Sequence, residues 1–133
     1  MPSNFTFLQL EWPSLHTDAT KAECMANTDA RASCFYARRT LELAVAWLYK
    51  HDAALRLPYQ DTLSALIHEP SFRAVVGDAL FTKARLIKDL GNGAAHNTRA
   101  VPTADAVTAT RELFHVCYWI ARTYGRRSRP EPG

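Results

Sequence analysis

The chain has 133 residues, 47% of them hydrophobic and 22% charged, which is the composition of one globular domain and excludes a disordered segment. Its five glycines are few, which favours helix over sheet. The net charge is only +3, and Arg126, Arg127 and Arg129 lie in the C-terminal tail, so the rest lacks the dense basic stripe typical of nucleic-acid binders.

The three cysteines, Cys24, Cys34 and Cys117, are odd in number and form no C-x-x-C pair. Each lies in an apolar helical pattern, so we predict buried, reduced thiols and a reducing compartment. Residues 1–5 lack the basic start and apolar run of a signal peptide, and no stretch reaches the length of a membrane span. These features predict a cytoplasmic protein with no membrane partner.

The N-terminal part predicts an aromatic segment followed by a first helix. Residues 4–12 are expected to form an extended arm or a short turn over the core. Ser14 is the predicted N-cap of a helix over residues 15–26. The buried stripe of this helix is predicted to comprise Leu15, Ala19, Ala22 and Met25.

A long second helix is predicted over residues 30–51, with a capping signal at residues 27–29. Arg38 and Glu42 are spaced i,i+4 on this helix and could form an ion pair. The predicted inner face comprises Cys34, Ala37, Leu41, Val45 and Leu48, widened by Phe35, Leu43 and Trp47.

Two short helices are predicted next, over residues 60–68 and 71–76, because Pro70 and Gly77 interrupt the pattern. Asp78 is the predicted cap of a helix that ends at residue 90, with Gly91 in the left-handed closing position. Leu80, Ala84, Ile87 and Leu90 are its predicted inner face, and residues 97–102 are a predicted loop.

Thr103 is the predicted cap of a final helix that runs to residue 124, and residues 125–133 are predicted to be a flexible linker. Its predicted buried stripe comprises Ala106, Thr110, Leu113, Cys117, Ile120 and Tyr124. Because no segment has the pattern of a strand, the predicted fold class is all-α, a compact bundle of about five helices.

The chain lacks several common catalytic motifs: a G-x-x-x-x-G-K-[ST] loop, an H-E-x-x-H pair and a G-x-S-x-G turn. Its five histidines do not cluster at metal-ligand spacing, so we expect neither a metal nor a cofactor here. Core packing is the predicted role of the aromatic residues at helical spacing, with a base-stacking platform as the alternative. These residues are Phe35, Trp47, Phe81, Phe114, Tyr118 and Trp119.

Three motifs follow one another in order: residues 35–45, the Leu-Gly-Asn-x-Ala-Ala-His run at 90–96, and residues 111–115. With the opening residues 3–8, they make residues 3–124 resemble the N-terminal helical domain of the R subunit of type I restriction-modification enzymes. This resemblance implies a longer parent that has nuclease and helicase-like motor domains and uses ATP and Mg²⁺. The implied partners are the remaining R-subunit domains, the methyltransferase and specificity subunits, DNA, and a second copy of the chain.

The same domain is similar to the HEPN superfamily, many members of which are ribonucleases with an Arg, often an Asn after it, and a His a few residues later. Asn92 and His96 match the Asn and the His, and Gly91 stands in the place of the Arg. Lys88 and Arg85 lie one and two helical turns earlier, respectively, but do not match the pattern. The resemblance therefore implies a degenerate catalytic motif.

Structural roles are the competing interpretation of these residues. His96 is predicted to be a half-buried imidazole hydrogen-bonded to a carbonyl or to Glu42, and Asn92 to have a helix-end or turn role. We hypothesise that Glu42, with Arg38 or Arg39, braces the segment that carries His96.

Three functions remain open from the sequence. The first is a non-catalytic docking module with an exposed aromatic patch of Phe5, Phe7 and Trp12. The second is a nucleic-acid-binding domain, for which the candidate phosphate contacts are Lys83, Arg85, Lys88 and Arg99 together with the arginine tail. The third is a HEPN-type ribonuclease.

Overall fold

The computed structural model describes residues 3–96 and 98–126, and within these residues every regular element is helical. This confirms the predicted all-α bundle. A short 3-10 turn at Thr6–Leu8 precedes six α-helices. They are α1 (Pro13–Met25), α2 (Ala30–His51), α3 (Leu63–His68), α4 (Pro70–Val76), α5 (Asp78–His96) and α6 (Thr103–Tyr124).

The four longer helices, α1, α2, α5 and α6, pack with sequential neighbours antiparallel. Between α1 and α2, Asp18 lies opposite Arg39, and Ala22 lies opposite Ser33, whose Oγ donates to the Ala22 carbonyl at 2.6 Å. Because higher residue numbers on α1 lie opposite lower numbers on α2, the two helices run in opposite directions. The short helices α3 and α4 bridge α2 and α5 and pack against α5.

The core is built from aliphatic residues and many alanines, which allow close approach of the helix axes. The predicted inner faces of α1, α2, α5 and α6 are buried apart from Phe35 and six half-buried residues, which are Met25, Leu43, Trp47, Leu90, Thr110 and Tyr124. Phe35 is the error in the prediction for α2, because its ring is 49% exposed rather than part of the core.

The N-terminal segment forms the predicted short turn over the core. Its rings pack edge-to-face against α6, with 5.9 Å between the ring centroids of Phe5 and Phe114. The predicted exposed patch is wrong, because Phe5 is 1% exposed, Trp12 is 3% exposed and Phe7 is half-buried. Burial of these aromatic rings is more favourable than their exposure, so they became part of the core.

The capping signal predicted for α2 at residues 27–29 is confirmed. Asp29 accepts a hydrogen bond from the Ala32 N–H at the start of α2. The Thr62 hydroxyl accepts a hydrogen bond from the Ala65 N–H at 3.2 Å and caps the start of α3. Helix α3 therefore begins three residues later than predicted.

Three other predicted caps are wrong, because Ser14, Asp78 and Thr103 lie inside their helices rather than before them. At α1, Pro13 takes the first helical position, where a backbone N–H would have no partner within the helix, so its absence costs no hydrogen bond. At α6, Pro102 precedes the first turn and has no capping side chain.

The predicted break at Gly91 is also wrong, because α5 continues through it to His96. Among the glycines that the structure describes, Gly77, between α4 and α5, has a backbone in the left-handed region, with φ of 87°. Gly91 is helical and buried between α5 and α2. A glycine in a helical pattern therefore marked close packing here and not a helix end.

Cys34 and Cys117 are buried as predicted, whereas Cys24 is exposed on α1. Burial raises the pKa of the Cys34 thiol and raises that of Cys117 to about 12. Among the described residues, no helix is long and apolar enough to cross a bilayer. Of the predicted linker, residues 127–133, with Arg127 and Arg129, lie outside the described residues.

Candidate functional site

Helices α2 and α5 approach each other closely at Gly91. A Cβ atom built on Gly91 would lie 2.5 Å from the Cβ of Arg38 and 2.8 Å from its Cδ. The aliphatic part of the Arg38 side chain therefore lies directly against the backbone of α5, and only glycine leaves room for it.

The polar end of Arg38 joins the two helices. Its Nε donates to the Asn92 Oδ1 at 2.8 Å, and its guanidinium forms an ion pair with Glu42 one turn along α2. Asn92 thus lies inside a helix and binds another helix, so its predicted helix-end role is wrong. We call Arg38, Gly91 and Asn92 the α2–α5 clasp.

A second arginine of α2, Arg31, binds the C-terminal end of α5. Its guanidinium donates to the Ala94 carbonyl and to the Arg99 carbonyl, the latter at 2.5 Å. The last carbonyls of a helix have no partner within the helix, and a basic side chain can satisfy them. Arg31 was not among the residues predicted from sequence, although its seven-residue separation from Arg38 places both on one helix face.

The structure places His96 and Arg39 apart from the clasp. His96, in the last turn of α5, is exposed rather than half-buried, and the Glu42 carboxylate pairs with Arg38. Arg39 points toward α1, where its Nε lies 3.0 Å from the Asp18 carboxylate. Arg38 rather than Arg39 therefore braces the segment that carries His96, and its contact on that segment is Asn92 and not His96.

Lys83, a candidate phosphate contact, lies in a charged cluster between α5 and α6. Its Nζ is 2.6 Å from the Glu112 carboxylate and 3.1 Å from His115 Nδ1. Burial raises the pKa of Glu112, but the hydrogen bonds and charges of Lys83 and His115 outweigh it and leave that pKa below its usual range.

The other candidate phosphate contacts have different surroundings. Lys88 is buried, with its Nζ 3.2 Å from the Asp89 carboxylate. Arg85 is exposed and lies over the Phe81 ring, 5.7 Å from its centroid, and Arg99 is exposed. The four candidates therefore do not form one set of unpaired cations.

A second polar contact lies where α2 and α6 end. The Tyr124 hydroxyl donates to the Asp52 carboxylate at 2.7 Å, and the Tyr124 ring packs edge-to-face on Trp47 at 5.5 Å. The hydrogen bonds from Tyr124 and from the Ala54 N–H lower the pKa of Asp52. Burial and the bond to Asp52 raise the pKa of Tyr124.

Within residues 3–96 and 98–126, no three His, Cys, Asp or Glu side chains are placed to hold one metal ion. The most specific polar arrangement near the Gly-Asn motif is thus the clasp, in which the Arg38 guanidinium binds the Asn92 amide and is also paired with the Glu42 carboxylate. These groups can hold two helices in register, and the nearby His96 imidazole is open to solvent.

The fold and the clasp define a small antiparallel helical bundle in which α2 binds α5 along two turns. The chain belongs to the family described as a domain of unknown function, DUF4145, whose family model matches residues 20–129. Comparisons with curated proteins and with solved structures gave no match.

Proposed function

We propose that this chain is a non-catalytic accessory module of a type I restriction enzyme R subunit, and that it docks onto other domains or subunits of that enzyme. The order and spacing of its three motifs support this placement. In the proposed parent, DNA cleavage and ATP-driven translocation belong to other domains, and ATP and Mg²⁺ bind there.

One observation carries the non-catalytic role: the polar residues of the Gly-Asn motif are engaged in holding helices together. The Asn92 amide accepts from Arg38 Nε, and the Arg38 guanidinium is paired with Glu42. A guanidinium already neutralised by a carboxylate is poorly suited to stabilise the charge that develops on a phosphate.

Two features favour docking to protein over contact with DNA. Lys83 is paired with Glu112, and Lys88 is buried beside Asp89, so both are poorly placed to neutralise phosphates. Most of the affinity of a non-specific DNA binder comes from such neutralisation.

The experiment is fluorescence-anisotropy binding of the chain to short duplex and single-stranded DNA across a salt series. We expect no saturable binding at moderate salt. Binding that weakens steeply as salt rises would instead assign a nucleic-acid-binding role.

The placement in a longer enzyme has a separate test in the coding sequence. We expect the reading frame downstream of the last codon to encode nuclease and helicase-like motor motifs. A stop codon with no such motifs in the frame would contradict the proposal that the chain is part of an R subunit. The docking role would then depend on the binding experiments.

A HEPN-type ribonuclease is the second candidate, and one observation favours it. Gly91 occupies the motif position of the catalytic Arg, but the Arg38 side chain from α2 lies against Gly91 and beside Asn92. Arg38 could therefore place a guanidinium where the catalytic Arg of the motif would lie, although it comes from a different helix. Cleavage of single-stranded RNA that is lost in both Arg38→Ala and His96→Ala, with folding intact, would favour this candidate.

A further inference from the structure

A polar cluster joins the middle of α5 to the middle of α6. The Lys83 Nζ of α5 lies 2.6 Å from the Glu112 Oε2 and 3.1 Å from the His115 Nδ1, both on α6. The same Glu112 oxygen lies 3.5 Å from the His115 Nδ1. Lys83 and His115 therefore both face one carboxylate oxygen, on a side chain that is only 13% exposed.

The contact with Lys83 fixes where the His115 ring carries its proton. An ammonium group has three donors and no acceptor, so it binds an imidazole nitrogen only through a lone pair. His115 Nδ1 therefore accepts from Lys83, and the ring is neutral with its proton on Nε2. His51 and His68 show the opposite pattern, because the Nδ1 of each donates to the backbone carbonyl four residues earlier, at 2.9 and 2.8 Å.

The other charges around this cluster leave that arrangement undisturbed. The Arg111 Nε lies 3.7 Å from Glu112 Oε1, which is the oxygen that Lys83 does not bind. Farther along α6, Arg122 lies over the Tyr118 ring. The residues one turn to either side of Lys83 on α5 are apolar, and the N-terminal turn contributes phenylalanine rings to this part of α6.

We propose that His115 is a proton-controlled switch in the contact between α5 and α6. The neutral ring binds Lys83, whereas the ring protonated on Nδ1 moves away from Lys83 and donates to Glu112. This inference goes beyond the docking function and does not depend on it.

The exchange follows from the donors and acceptors of the three groups. A proton taken from solvent onto Nδ1 removes the lone pair that Lys83 binds and sets two positive charges against each other. The Glu112 Oε2 is the acceptor at hand. Its pKa is lowered, so the carboxylate remains ionised at about pH 5, where an ordinary imidazole is protonated.

Protonation changes which helices the cluster holds together. The contact from Lys83 to His115 joins α5 to α6, whereas the pair of His115 and Glu112 lies within one turn of α6. Acid therefore removes one of the two contacts that Lys83 makes on α6, and it adds one positive charge to this face of the bundle.

Two double-mutant cycles at about pH 8 and about pH 5 test the exchange, with stability measured by urea unfolding. The first combines Lys83→Met with His115→Ala, and its coupling should change the unfolding equilibrium constant about twofold at pH 8, as for an exposed pair, and be lost or reversed at pH 5. The second combines Glu112→Gln with His115→Ala, and its coupling should appear only at pH 5.

Nitrogen-15 NMR of the histidine rings in the intact chain gives a measurement that needs no variant. At pH 8, we expect the Nε2–H form for His115 and the Nδ1–H form for His51 and His68. Lys83→Met should move His115 toward the Nδ1–H form, because Glu112 is then its remaining partner. The matched control, Lys50→Met on the exposed face of α2, should leave the His115 signals unchanged.

Three results would overturn the switch. The first is a His115 ring in the Nδ1–H form at pH 8 in the parent chain, which contradicts the contact with Lys83. The second is a ring that is still neutral at pH 5. The third is a coupling between Lys83 and His115 that has the same sign and size at both pH values.

Discussion

Arg38 of α2 lies so close to Gly91 of α5 that a side-chain carbon at position 91 would come within 2.5 Å of the Arg38 Cβ. A Cβ atom is fixed to its backbone and cannot rotate away, so the helices themselves would have to separate. The glycine therefore sets the distance between α2 and α5, and with it the hydrogen bond from Arg38 to Asn92.

Gly91→Ala should destabilise the fold by up to about 2 kcal/mol, because the overpacking cost of ~1–3 kcal/mol opposes the helix preference of alanine, which is about 1 kcal/mol. Urea unfolding followed by circular dichroism measures the change. Ala46→Gly, at an exposed position of α2, is the control, and there alanine should be the more stable residue. A Gly91→Ala variant more stable than the parent chain would contradict the close contact.

The hydrogen bond between Tyr124 and Asp52 should make stability depend on pH at both extremes. The pKa of Asp52 is lowered in the folded state, so its contribution is present above about pH 4, the ordinary value for Asp, and is lost as pH falls further. The pKa of Tyr124 is raised, so stability is also lost as pH rises above about 10, where the unfolded state ionises first.

Tyr124→Phe should cost about 1 kcal/mol at neutral pH and flatten both the acid and the alkaline limb of the stability profile. Thermal unfolding over a pH series gives the measurement. Tyr59→Phe is the matched control, because the Tyr59 side chain is fully exposed on its loop. If the stability of Tyr124→Phe and of the parent chain changed with pH in the same way, the contact would not contribute to the pH dependence.

The three thiols should react very differently with a disulfide reagent in the native protein. Cys24 is exposed, whereas Cys34 and Cys117 are buried and have raised pKa values, which keeps them as unreactive thiols. One thiol should be titrated quickly in buffer and all three in denaturant. Cys24→Ser should remove the fast reaction. A second fast-reacting thiol would contradict the burial of Cys34 or Cys117.

The helices could be predicted from sequence because their periodicity is strong and local. The buried face of α2, the cap at Asp29 and the end of α6 after Tyr124 all follow from spacing and capping chemistry within a few residues. Helix starts were less predictable where a proline competed with a polar cap, as at Pro13 and Ser14.

The sequence suggested that Arg38 or Arg39 braces this segment, but the contacts of the clasp could not be predicted, because they depend on how neighbouring helices pack. Gly91 has the local signature of a helix end, but packing against Arg38 decided its role. The partner of Asn92 lies 54 residues away, so no spacing within α5 indicates it. Phe35 shows the same limit, since its helical position gave no sign that its ring would stay exposed.

The most direct test of the account is a double-mutant cycle between Arg38 and Asn92, with stability measured by urea unfolding of Arg38→Ala, Asn92→Ala and the double variant. We predict a coupling free energy of about 1 kcal/mol, as for a partly exposed hydrogen bond to a charged group, and none between Glu42 and His96 in a parallel cycle. Additive effects at Arg38 and Asn92, or coupling between Glu42 and His96 instead, would contradict a clasp between α2 and α5.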